Sequence, residues 1–153
     1  MATSVVPALI DALIAAADTA LPDTLVSDGF GVTDDPGDFL MIGVEDPDTE
    51  QSAFSADTKQ EWATADRSGV RNEVGEITCA ALSWNGDGNQ KAARDAVYAI
   101  TAELEDALRA TPALGLSGLL WTSFGTSTQF SQAHDATGAV AMLVFRIAFQ
   151  ARI

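Results

Sequence analysis

Residues 75–109 read GEITCAALSWNGDGNQKAARDAVYAITAELEDALR, and the change of period inside this stretch decides the fold. From Glu73 to Trp84 the pattern is that of a strand. Ile77, Cys79 and Ala81 share one face, and Thr78, Ala80, Leu82 and Trp84 share the other. Neither face is strongly polar, so cover is expected on both. A Gly-rich turn at 85–89 follows, with Asn89 placed to cap a helix. Beyond it Ala93, Val97, Ile100, Leu104 and Leu108 form an apolar stripe, and Lys91 with Asp95 and Glu105 with Arg109 are paired at i,i+4 spacing. Pro112 and Gly115 end that helix.

Toward the C-terminus, strand signals return at Leu119–Phe124 and Thr126–Phe130, before a turn around Asp135–Gly138. The closing run from Val140 alternates: Leu143, Phe145, Ile147 and Phe149 face one way, and Val144, Arg146, Ala148, Gln150 and Arg152 face the other. This predicts a strand with one buried face. Toward the N-terminus, the spacing predicts strands at Leu25–Asp28, Phe39–Glu45 and Thr58–Thr64, with Asp46–Asp57 an extended surface loop. Ser4 as N-cap and Pro7 in the first turn open a helix over about 4–20, ended by Pro22, with Val6, Ile10, Leu13, Ala17 and Leu21 at helical spacing. Its polar face is only Asp11, Asp18 and Thr19, so it needs cover on more than one side. A subunit contact through Val6, Ile10, Leu13 and Ile14 is one candidate for that cover. The order is α-β-β-β-β-α-β-β, an α+β architecture with a mainly antiparallel sheet of about six strands flanked by two helices, in one domain over 1–153.

The chain of 153 residues is 47% hydrophobic and carries a formal charge of -14. A domain of this size buries roughly 68–70% of its unfolded surface, so a packed core is expected in spite of the charge. Residues 1–50 hold 11 acidic residues and no basic ones. Much of this acidity lies in TDDPGD (33–38) and EDPDTE (45–50), each first of all a turn signal because Pro stands beside Asp. A surface so negative repels the DNA backbone and anionic lipids, which excludes binding through basic patches. The apolar stretches near 5–21 and 139–149 are interrupted by charge and do not read as membrane spans. No Lys or Arg precedes Lys59, so no signal-peptide n-region is expected. A reducing compartment fits the single cysteine.

The common catalytic and phosphate-binding motifs do not occur. His134 is the one imidazole, read as an exposed turn residue, with a base oriented by Asp135 as the functional alternative. Cys79 reads as a small core residue. Asn85, Asp87 and Asn89 have the spacing that opens an EF-hand loop, but Gln90 and Ala96 stand where its Gly and Glu are required. Asp34, Asp35 and Asp38, and Glu45, Asp46, Asp48 and Glu50, read as solvated acidic turns. Trp62, Trp84 and Trp121 are expected to pack in the core or on sheet faces, and they lack the Lys and Arg of a nucleic-acid platform. No cofactor or metal is expected.

SVVPALIDALIAAA (4–17), VTDDPGDFLMIGVEDPD (32–48), the stretch 75–109 and GAVAMLVFRIAFQARI (138–153) together resemble the small virion proteins of long-tailed actinobacterial phages, the tail terminators or minor tail proteins. The resemblance covers nearly the whole chain and rests on the order and wording of segments, so another neck protein, a tail-completion or head-tail connector component, is the alternative. It implies a sheet flanked by helices, no active site, and a hexameric ring at the tail-neck junction of the virion. Such a ring caps the tail tube protein, meets the head connector or stopper protein, and lets DNA pass through its channel. On that basis Asp34, Asp35, Asp38, Glu45, Asp46, Asp48 and Glu50 are expected on the lumen or a ring face. An acidic protein-binding adaptor and an enzyme of scattered carboxylates are the readings from other classes.

Overall fold

The computed structural model describes residues 3–31, 34–45, 54–67 and 69–153. Its elements are α1 (Val6–Ala20), β1 (Leu25–Asp28), β2 (Gly37–Ile42), β3 (Ala56–Trp62), β4 (Arg71–Asn85), α2 (Gln90–Ala110), β5 (Leu119–Asp135) and β6 (Gly138–Arg152). Among the described residues these form two helices and one six-stranded sheet, mixed but mostly antiparallel, in the expected order. The sheet path is β1-β2-β4-β6-β5, and β3 pairs with β4 below β2.

The two longest ladders follow from the sequence periods. β4 and β6 are antiparallel from Asn72 opposite Arg152 to Asn85 opposite Ala139. β5 joins β6 through the tight turn at Asp135–Gly138. Gly138 takes φ 134°, and a Cβ there would stand 2.3 Å from the Asn85 carbonyl oxygen, so the turn and the neighbouring strand both require glycine. The two segments expected at 119–124 and 126–130 are one strand whose register shifts between Phe124 and Thr128. The extra residues make a bulge beside Arg146, which leaves room for Gly125 but little for a side chain.

One pairing is not of the expected kind. β1 and β2 are parallel neighbours, Leu25 opposite Phe39 through Asp28 opposite Ile42. Parallel neighbours ordinarily need a longer crossover than residues 29–36 supply. Here Gly29, at φ 72°, donates its N–H to Ile42 O at 2.8 Å, and Phe30 and Gly31 come to lie beside Phe39, Met41 and Leu82. Phe30 and Gly31 therefore lie over the sheet face that carries no helix.

Both helices lie on the other face. The α2 stripe is buried as expected, and it packs with Leu40, Ile42, Ile77, Cys79, Ala81, Leu143, Phe145, Ile147 and Phe149 into one core. Asn89 caps α2 by accepting from Ala92 N at 3.0 Å, and both i,i+4 ion pairs form. On the opposite face Met41, Val44, Ala80 and Val144 make a second buried cluster with Leu82 and Met142 beside it, so β4 is covered on both sides. Phe145 is the pivot of the main core, stacked on Phe124 with ring centroids 4.8 Å apart. Phe145→Ala is expected to lower unfolding free energy by about 3–5 kcal/mol in urea titration, whereas a loss under ~1 kcal/mol would contradict this packing.

Candidate functional site

The described residues of the acidic segments occupy separate places. Asp34 and Asp35 are exposed in the turn before β2, where Pro36 packs over Gly86. Asp38 is half-buried on the helix side of β2 and accepts the Ser83 hydroxyl at 2.6 Å. Glu45 is exposed beyond the far end of the same strand. At roughly 3.3 Å per residue, β2 sets Asp34 and Asp35 about 20 Å from Glu45. Asp46, Asp48 and Glu50, with most of the loop expected at 46–57, lie outside the described residues; Ala56 and Asp57 open β3. What the fold does bring beside Asp38 are Asp23 and Glu103, on the wall of a cleft of ≈ 210 Å³ where α1 ends. Among the described residues no group of three His, Cys, Asp or Glu is placed to hold a metal.

The first helix finds much of its second cover inside the chain. Its core line is Val5, Leu9, Leu13, Ala17 and Leu21, while Val6, Ile10 and Ile14 are half-buried at the margin of the same core. Leu13 is fully enclosed, so among the four residues read as a subunit contact it has no surface to offer. α1 packs on both the sheet and α2, and between the helices Ala12, Ala15, Ala16, Ala107 and Ala110 line a groove of ≈ 460 Å³.

The helix begins on a polar cluster that the sequence pattern did not reveal. The assigned cap is Val5 rather than Ser4, and Val5 provides no side-chain bond. Its N–H instead donates to the fully buried Glu73 carboxylate at 2.7 Å, and Ser4 Oγ donates to the other oxygen at 2.6 Å while accepting from Val6 N at 3.1 Å. Gln60 Nε2 donates to Glu73 at 3.0 Å and to Thr3 O at 2.8 Å, and Arg71 holds Gln60 Oε1 at 2.7 Å. A carboxylate at a helix N-terminus answers both the free N–H groups and the helix dipole. Nothing local marks Glu73 for this task, because its partners are 13 to 69 residues away.

The other candidates for chemistry serve turns and packing. Asp135 accepts from the Thr137 hydroxyl at 2.6 Å and its N–H at 2.7 Å. These bonds, first the hydroxyl and then the amide, hold the Asp135 carboxyl below its usual range. His134 lies in β5, one residue before its end, rather than in the turn, and it lies against Gly88. Asn85 Oδ1 accepts from Asp87 N and Asn89 N, which leaves the EF-like spacing committed to a turn. Cys79 is buried, and burial pushes its thiol up to about 12. The tryptophans are sheet-face residues: Trp84 and Trp121 donate to Thr137 O and Gln150 Oε1, and Trp62 lies under the Arg71 guanidinium.

No family model matches the sequence, and no curated protein matches it. In a comparison with solved structures, a chain from the virion of a native gene transfer agent particle is similar to it in fold, with a TM-score of 0.57 and 15% identity. The match covers 97% of this chain and 99% of that one.

Two expectations follow from these side chains. Glu73→Ala strands the Val5 amide and the Ser4 and Gln60 donors, and should cost about 3 kcal/mol in chemical denaturation, with Glu73→Gln costing less because it keeps one acceptor. Equal stability of wild type and Glu73→Ala would contradict the cluster's role. Cys79 should react with a thiol reagent at pH 8 more than about a hundredfold slower in the native than in the unfolded chain; comparable rates would contradict its burial.

Proposed function

We propose that the chain is a non-catalytic structural protein of a phage-like virion, and within it a tail terminator. In this reading six copies close into a ring on the last ring of tail tube protein. The ring stops tube growth and presents its other side to the head connector or stopper protein at the tail-neck junction. The observation that carries the proposal is the correspondence in shape, over nearly the full length of both chains, with a chain of a gene transfer agent virion. The segment-level resemblance to phage tail terminators agrees with it.

Two features support the reading. Cys79, Asp135 and the Asn85–Asn89 turn, which carry reactive or ligating groups, are committed to packing or turn geometry. The charge of -14 is of the same sign as DNA, and a ring of such subunits lets DNA slide through its channel without adhering. Asp34 and Asp35 at one end of β2 and Glu45 at the other are the exposed acids proposed for the lumen or a ring face. No cofactor enters the proposal.

Native mass measurement, alone and with tube protein, tests it together with a tube-growth assay. Hexamers in either condition, and tubes that stop elongating when the protein is added, are the expected results. A stable monomer that ignores both tube and connector proteins would overturn the proposal.

A further inference from the structure

The free edge of β5 differs from every other part of this surface. Residues 126–135 are ten consecutive exposed positions, and among the described residues no strand lies outside them. Past the bulge the ladder to β6 is regular, from Thr128 opposite Phe145 to Asp135 opposite Gly138. The outer N–H and C=O groups of residues 128–135 therefore form an open row. Soluble proteins protect such a row with Lys, Pro, other charges or extreme shortness. On the opposite side of the sheet those devices are present. β1 is four residues long and ends in Asp28, and β3 carries Asp57, Lys59 and Glu61. Beyond its bulge at 124–128, β5 has none of them before Asp135, and between Arg109 and Arg146 the chain has a single charged side chain, Asp135 itself.

We infer that the β5 edge, residues 126–134, is where a second copy of this chain adds a strand to the sheet. Charge selects that occupant. Copies carrying -14 each repel one another across most of their surfaces, and contact is cheapest where neither presents a carboxylate. A basic partner would be drawn to the acidic surface and would gain nothing from a neutral edge. Beside the edge, Gln129, Ser131 and Ala133 stand opposite Val144, Met142 and Val140 of β6, so the adjoining strip of sheet is uncharged too. Main-chain hydrogen bonds would supply the affinity, and this strip the local fit. Two β5 edges that face one another pair isologously, about a two-fold axis. Such a two-fold contact stands apart from the one that would close a terminator ring, and it can be tested without any other virion component.

Self-association is measured by sedimentation over a concentration series for the full chain, for Gln129→Glu/Ser131→Glu, and for Ala102→Glu on the exposed side of α2. Wild type is expected to associate, and the double variant to do so about tenfold or more weakly, with unchanged circular dichroism. Ala102→Glu, which adds charge away from the edge, should associate like wild type. Hydrogen exchange on the unmodified protein gives a second readout: amides in 126–134 should gain protection as concentration rises. A wild type that stays monomeric throughout, a double variant that associates undiminished, or amides indifferent to concentration would each overturn the inference. An assembly of other than six copies that still depends on the edge would support the inference whether or not a hexameric ring forms.

Discussion

The fold depends on one constraint, the antiparallel register of β4 against β6. Fifteen residues in each strand give a ladder about 50 Å long at roughly 3.3 Å per residue. On one side, β4 is long enough to pair with β2 along residues 79–84 and with β3 along residues 71–77, one after the other. On the other, β6 carries the whole of β5. The same register puts Ile77, Cys79 and Ala81 beside Ile147, Phe145 and Leu143, and that apolar strip is the floor on which both helices rest. A one-residue slip would turn Phe145 and Ile147 outward and bring Arg146 into the core, so the register is strongly specified.

On this frame the charged residues are sorted. Asp34 and Asp35 before β2 and Glu45 beyond it lie toward one edge of the sheet, while the C-terminal hairpin at the other edge is almost free of charge. The molecule thus has one side that repels its own kind and DNA and one that tolerates close approach. Both properties suit a subunit that must contact copies of itself while keeping a passing polyanion from sticking. Neither requires reactive side chains, and the polar groups that are buried, Glu73 foremost, hold elements together.

Local periodicity made much of this legible. The two-sided pattern of β4, the stripe of α2 and the alternation of β6 each depend on residues a few positions apart, and each appears in the structure with small changes at the ends. What escaped depended on distant partners. The parallel pairing of β1 with β2 rests on an unusual return at Gly29, and the start of α1 rests on Glu73, far along the chain. The core line of α1 is set one residue from the expected one at its start, on Val5 and Leu9, because α2 and the sheet meet the helix from two directions. The acidic segments were conspicuous as composition, yet composition could not show that β2 sets Glu45 apart from Asp34 and Asp35 or that Asp38 is bonded to Ser83.

In the proposed role the chain is a structural component of a virion, placed as a ring between tail tube and head connector. An image reconstruction of the whole particle, with the chain fitted into its density, tests that claim most directly. The account predicts one closed ring of six copies at the tail-neck junction, around a channel wide enough for DNA. Finding the chain elsewhere in the particle would contradict the terminator role, and finding no copy in the particle would contradict the structural assignment itself.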